Sequence, residues 1–394
     1  MKIAVIVPGR FHAFDLCREW LKSKHQVVLF SNYPKGVVKR FGIEPKHVRS
    51  LLIHGILSRL LRVLQQRLKV GVPEQWLCQW FGRWAANQII KESWDVVYAW
   101  SGVGEECFKG LQDRHTVKVC QRSSSHILTQ AAILREEEIR VSSKMEKPSP
   151  WIISRELSEY QLAHFVHVPS HFAEATFMDQ AFDSRKIITV PLGASTKSFR
   201  PLASVIQQRQ SRILSSNPIR VLYVGTASFR KGFWDLLEVV RGLSGKNFEF
   251  TFVGAVAKEV ESLLGKIRSL GQFIPKQPHN KLQDWYARGD IFILPTLEDG
   301  FPIVLAQAHA AGLPILTTPN GAGHDLVEDG RTGWVLPIRN PEAFIKKLQW
   351  CDSHRKELAE MVGKIYETSS SRDWKQVSEE LIVCFKNRMS LGLK

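Results

Sequence analysis

Short apolar runs separated by stretches of helical spacing set the rhythm of the first 200 residues. Ile3–Val7 is one such run, closed by Pro8-Gly9. Val27–Phe30 is the next, and Phe11, Phe14, Leu16, Trp20 and Leu21 fall at helical spacing between them. Residues 95–99, 117–120, 165–169 and 187–190 repeat the pattern, the last running into Pro191-Leu192-Gly193. Strands this short and apolar, alternating with helices, predict a parallel sheet covered on both faces. The rhythm lapses over residues 202–218, a Gln/Ser-rich stretch ending in Asn217-Pro218, which reads as a linker. A second series follows. Arg220–Val224 leads into Gly225, Phe248–Val253 into Gly254 and Asp290–Leu294 into Pro295, with further runs at 315–317 and 334–336. Two successive α/β units predict a ligand-binding cleft between them.

Composition narrows this picture. The chain has 394 residues, is 44% apolar and has a mean hydropathy of −0.14, as expected of a globular protein. No window approaches 18 uncharged apolar residues, so no spanning helix is expected. The run from Lys2 to Val7 is too short for a signal peptide and is followed by Arg10, His12 and Asp15. Six scattered cysteines without CxxC spacing fit a reduced, cytoplasmic setting, and no metal-ligand motif is visible. The net charge of +16 is uneven. Residues 1–100 carry 16 Lys+Arg against 6 Asp+Glu, and the remaining 294 carry 38 against 32. An anionic partner of the N-terminal quarter is implied. No nucleic-acid module is present, so nucleic acid is not the expected partner.

The chemistry concentrates in Pro295–Trp334, a strand end, an acidic turn, a helix start, a strand, a Gly-rich loop and another strand. Pro302 suits a first helical turn, and the amides of Phe301, Ile303 and Val304 are orphan donors at a positive helix end, suited to a diphosphate. With Asp299 before Gly300-Phe301 and Gln307 eight positions after Asp299, the stretch resembles the donor-binding half of the family 4 glycosyltransferases, retaining enzymes of the GT-B fold. The resemblance implies an α/β fold of two Rossmann-like domains with parallel sheets facing an interdomain cleft. It covers residues 220–345 strongly and 1–200 weakly, and includes the turn Pro191-Leu192-Gly193…Phe199-Arg200-Pro201. It divides the chain into an acceptor-binding domain, 1–204, and a nucleotide-sugar domain, 205–373. The segment from Trp374 to 394 is expected to pack back on the first.

The family's first acid, a glutamate, touches sugar hydroxyls and its second the ribose; here Asp299 and Gln307 take those places. The loop from Gly225 to Gly232 resembles the one whose two cations grip the diphosphate. Lys231 matches the family lysine, Thr226 stands where an arginine is usual, and Arg230 is the replacement charge. Ile274 and Lys276 hold the place of the base-binding segment, and Gly9-Arg10 that of the loop beside the diphosphate. His126 stands where the family has a catalytic-site histidine, the other reading being a structural one. The loop from Gly321 to Gly333 reads as scaffold, with His324 a candidate to face the donor. Glu156 and Glu159 read as a solvated helix face.

Leu51–Lys69 is amphipathic, with a leucine-rich stripe against Arg59, Arg62, Gln66, Arg67 and Lys69. Trp76, Trp80 and Trp84 follow at spacing four. Residues 51–91 thus read either as a face for an anionic membrane or as packed helices with a solvated basic edge. The function implied is transfer of a sugar, with retention, from a nucleotide-sugar donor to a hydroxyl of a glycan or lipid-linked acceptor, with no cofactor or metal required and a peripheral place on the membrane. The alternative is a GT-B protein that binds nucleotide-sugar without turnover, motivated by Thr226, Asp299 and Gln307.

Overall fold

In the computed structural model, residues 1–68, 73–112, 115–194, 196–265, 271–369 and 372–390 are described. The first sheet has seven strands: β1 (Lys2–Val7), β2 (Gln26–Ser31), β3 (Val48–Ser50), β4 (Val96–Trp100), β5 (Val117–Gln121), β6 (Phe165–Val168) and β7 (Ile187–Thr189). Their order is β3-β2-β1-β4-β5-β6-β7. The second has six: β8 (Ile219–Val224), β9 (Phe248–Gly254), β10 (Gln272–Pro275), β11 (Ile291–Leu294), β12 (Ile315–Thr317) and β13 (Gly333–Val335), ordered β10-β9-β8-β11-β12-β13. Every pairing is parallel. Strands such as β4, buried along its whole length, are covered on both faces and need no polar alternation. In both sheets the order reverses beside the first strand, which opens a crevice at the strands' carboxyl ends.

Residues 202–218, expected as a linker, hold a helix at Ala203–Leu214. Ile206, Arg209 and Ile213 share its buried face, and Arg209 donates to the carbonyls of Ala311 (2.7 Å), Gly312 (3.0 Å) and Tyr286 (3.0 Å). An arginine stands where the pattern asks for an apolar residue, which hides the helix. Burial lowers the pKa of this guanidinium to about 10, and the carbonyls take up its two terminal nitrogens, while its Nε is buried without a partner. The chain crosses between domains near Gly193 and again near Asp373. The two crossings touch, with Ala194 N donating to Arg372 O at 2.9 Å. The helix Trp374–Ser390 then packs on the first domain through Trp374, Val377, Leu381 and Phe385, and Trp20 Nε1 donates to Ser378 O at 3.1 Å.

The domains meet along a seam. Leu134, Val141 and Met145 of the first domain enter the core of the second, and Phe301 enters the core of the first. Arg140 bridges Glu137 and Asp235, Arg339 reaches Glu136 and Glu137, and His171 Nδ1 lies 2.6 Å from Asp325.

Glu156 and Glu159 correct the solvated-face reading, because both are buried. Glu159 accepts from the backbone N–H of Gly102 (2.5 Å), Gly104 (2.8 Å) and Glu105 (3.1 Å), holding the loop after β4. Glu156 pairs with Arg122 at 2.9 Å and accepts from Tyr160 Oη at 2.6 Å.

Candidate functional site

Two loops of the second domain converge at the seam. After β8, Phe229–Lys231 forms one 3-10 turn, capped where Ser228 Oγ accepts from Lys231 N at 3.4 Å. Gly232 follows at φ +70, and a Cβ there would overlap the Pro295 carbonyl, so only glycine lets this turn press on the end of β11. After β11, Leu297 N donates to Arg230 O at 2.9 Å, locking the two loops in register. The helix Ile303–Ala310 then starts after Pro302, with Leu305 N donating to Pro302 O at 2.9 Å. Phe301, Ile303 and Val304 sit at its positive end.

Both cations of the first loop are met by the acids of the second. Lys231 is ion-paired to Asp299, and Arg230 Nε lies 2.7 Å from Glu298 Oε2. Glu298 is fully buried and also reaches the first domain. It accepts from Ser124 Oγ, from Ser125 N (3.0 Å) and Oγ (2.7 Å), and from Gln130 Nε2 (2.9 Å). Burial alone would raise its pKa. The charge of Arg230 and the hydrogen bonds from Ser124, Ser125 and Gln130 hold it well below the usual carboxylate range. Gly300 touches the same loop, and a Cβ there would overlap the Ser123 carbonyl.

Cavities lie along the seam. One of about 580 Å³ is lined by Thr226, Ser228, Arg230, Lys231, Arg122 and Lys147, among others. Another of about 750 Å³ is lined by Arg10, His12, Ser123, Phe301, Ile303 and Gln307, among others. Of the expected donor residues, Thr226 thus lines the first chamber and Arg10, Phe301, Ile303 and Gln307 line the second. Gln307 is buried, accepts from Tyr286 Oη at 3.0 Å and lies 3.5 Å from His279 Nε2. Val304 packs against the second core. Gly225 N donates to Val253 O at 3.0 Å, beside exposed Thr226. Gly9 O accepts from Ser31 Oγ at 3.3 Å, and the Arg10 guanidinium lies over the Phe41 ring. Ile274 and Lys276 lie on and just beyond edge strand β10 and are not among the residues lining either chamber.

His126 is not on the wall of either chamber. Its ring packs on Tyr160 and Phe177, and its Nδ1 accepts from Leu128 N at 3.3 Å, capping its own helix. Burial, with Arg122 nearby, lowers its pKa to about 4. His324 is exposed beside Asp325, which pairs with His171.

Sequence reasoning passed over Glu298, Ser124, Ser125 and Gln130. The available signal was the doublet Glu298-Asp299 facing the doublet Arg230-Lys231, two acids for two cations. Among the described residues no cluster of His, Cys, Asp and Glu could hold a metal ion.

A third cavity, of about 490 Å³, lies in the first domain and shares Glu74, Glu146 and Lys147 with the 580 Å³ chamber. Asn32, His54, Ser58 and Arg62 also line it. The helix Leu52–Leu68 packs His54, Gly55 and Ser58 inward and turns Ile53, Ile56, Leu60, Val63 and Leu64 out to solvent. Trp76 is exposed and Trp80 half-buried, but Trp84 packs edge-on against Phe30 in the core, so the three tryptophans do not form one outward face. The side chains of Gln66, Arg67 and Leu68, and all of Lys69, lie outside the described residues.

Residues 218–352 match the family model described as Glycosyl transferases group 1. The amylovoran biosynthesis glycosyltransferase AmsK of Erwinia amylovora is 27% identical over 139 residues, 32% of this chain and 34% of that protein. The sulfoquinovosyl transferase SQD2 of Arabidopsis thaliana is 24% identical over 195 residues, 48% of this chain and 38% of that one. The chain thus spans little more than a third of the length of these relatives. The structure of sucrose-phosphate synthase from Thermosynechococcus elongatus superposes with a TM-score of 0.72 at 16% identity, covering 100% of both chains. That of Anabaena HepE in complex with UDP superposes with a TM-score of 0.68 at 13% identity, covering 98% of this chain and 100% of that one. The protein therefore has the GT-B fold, with a second domain that matches the glycosyl transferases group 1.

Proposed function

We propose that the protein is a retaining glycosyltransferase that moves a sugar from a nucleotide-sugar donor to a hydroxyl of a glycan or lipid-linked acceptor at the cytoplasmic face of a membrane. The observation that carries this reading is that the loop after β8, with Arg230 and Lys231, is locked by Leu297 N to Arg230 O (2.9 Å) to the loop after β11, which leads into the helix Ile303–Ala310. The donor's bond from anomeric carbon to diphosphate oxygen breaks, and the acceptor oxygen bonds that carbon from the same face. The acceptor's proton goes to the departing diphosphate. Charge builds on the leaving group, so preorganised cations and helix-end amides lower the barrier most. Arg230 offers a fork and Lys231 a point charge, and these stabilise the leaving group without requiring a metal. Asp299 and Gln307 are read as the contacts to sugar and ribose. The acceptor is assigned to the 490 Å³ cavity, which adjoins the cation-lined chamber and lies beside the outward apolar face of Leu52–Leu68.

A thermal-shift panel of UDP-, GDP- and ADP-sugars tests the donor. A true donor at 100 times its dissociation constant stabilises by ~2.7 kcal/mol, and acceptor-dependent release of its nucleoside diphosphate should persist in EDTA. Absence of any shift across the panel contradicts the donor site. The two ion pairs favour one alternative, a nucleotide-sugar-binding protein without turnover, since the cations meant for the leaving group are already neutralised. Binding without release of nucleoside diphosphate would select that alternative.

A further inference from the structure

We propose that Glu298 is a positioning residue of the donor site, one that holds Arg230 in place and competes with the donor's diphosphate for it; this rests on the donor-site reading above. Glu298 is the one fully buried carboxylate of the 298–299 turn, and it binds both walls of the seam at once. Toward the second domain it takes Arg230 Nε at 2.7 Å, and its backbone carbonyl takes the same Nε at 3.2 Å. Arg230 Nη2 in turn donates to Ser124 Oγ at 3.1 Å, so guanidinium, serine and carboxylate form one closed network. The guanidinium is nonetheless about one-third exposed and lines the 580 Å³ chamber. It is therefore oriented by Glu298 while still presenting an edge to an incoming anion.

The same carboxylate fastens the loop Ser123–Ser125 over Gly300, at the start of the helix Ile303–Ala310. A diphosphate spanning Arg230 and that helix end must lift this loop or draw the guanidinium away from Glu298. Either movement spends affinity and gains alignment. Removing the carboxylate's charge should therefore tighten anion binding and impair turnover, a pair of opposite effects that loss of mere structural support would not produce.

Glu298→Gln keeps the shape. Its amide oxygen can still accept from Ser124 and Ser125, but its amide nitrogen cannot accept from Arg230 or Gln130. By calorimetry, inorganic diphosphate and UDP should each bind this variant about tenfold more tightly than wild type, because one negative charge beside the anion is gone. Turnover should fall at least about tenfold, since the guanidinium loses the partner that aims it. Glu298→Asp keeps the charge but withdraws it from Arg230, so the freed guanidinium should move both quantities the same way by a smaller factor, and it serves if the glutamine variant folds poorly. Equal or weaker diphosphate binding in both variants overturns the proposal, as does unchanged turnover in both. Tighter diphosphate binding in the variants with no nucleoside diphosphate bound by any form would uphold the role of Glu298 at an anion site and sink the transferase reading.

Discussion

At the scale of single residues, the site is an arrangement of paired charges, and removing one member has a calculable sign. Lys231 is paired with Asp299 at a partly open site, so Lys231→Ala should cost about 1 kcal/mol of stability or less. Its effect on turnover should be on the order of 10²-fold, the size seen when one preorganised contact to developing charge is lost. A folded Lys231→Ala protein with wild-type turnover would remove the residue from the chemistry. A second residue governs stability. His167 is fully buried, its Nε2 3.1 Å from Val190 O and its Nδ1 bonded to Tyr98 Oη. A carbonyl only accepts, so Nε2 carries the proton and Nδ1 accepts from tyrosine, which fixes a neutral ring. Burial lowers its pKa to about 4, opposed by the Val190 carbonyl. Below pH 6.5 the unfolded chain takes up a proton that the folded one refuses. Stability from this residue is thus intact above 6.5 and lost as pH falls towards 4, by roughly 1.4 kcal/mol per unit. His167→Gln can make both hydrogen bonds without titrating, so urea unfolding between pH 6 and 5 should show a slope shallower by that amount. Identical slopes for wild type and variant would refute it.

At the scale of elements, legibility tracked burial. The inner strands β1, β4, β5, β8 and β11 announce themselves because both faces are covered and, apart from Lys2, Lys118, Gln121 and Arg220, their positions are apolar or aromatic. The edge strands β3 and β10 were not legible as strands, since Val-Arg-Ser and Gln-Phe-Ile-Pro carry no such run. Helix Ala203–Leu214 hid behind Arg209, an interior residue whose partners are backbone carbonyls contributed by distant loops. The same gap explains the site. Lys231, Asp299 and Gln307 could be placed by spacing within two loops, but Glu298 acts through Ser124, Ser125 and Gln130, about 170 positions away, and no local pattern encodes that pairing. His126 keeps two readings in the sequence for the complementary reason, since its neighbours along the chain say nothing of Tyr160 and Phe177, which pack on it.

At the scale of the whole molecule, the uneven charge and the inverted helix bear on the proposed place at a membrane. No helix among the described residues is long and apolar enough to cross a membrane. Yet Leu52–Leu68 buries histidine and serine while exposing isoleucine, leucine and valine, and Ile53 is 70% exposed. Leaving such a face in water forfeits roughly 25 cal/mol per Å² of apolar area that a partner would cover. Arg59 and Arg62 flank the face, and the excess of ten positive charges in residues 1–100 favours an anionic lipid surface as that partner. Docked this way, the 490 Å³ cavity beside the helix would open towards the bilayer, within reach of an acceptor held there. The protein should co-sediment with vesicles containing phosphatidylserine, bind neutral vesicles far less, and release as salt rises, because each basic residue contributes only about 1 kcal/mol and is screened. Ile53→Asp with Leu60→Asp should abolish sedimentation while leaving the melting temperature and UDP binding unchanged, since both side chains already face solvent and lie in the other domain from Arg230 and Lys231. Sedimentation that ignores both the lipid charge and these substitutions would detach the protein from the membrane and leave the donor site as argued.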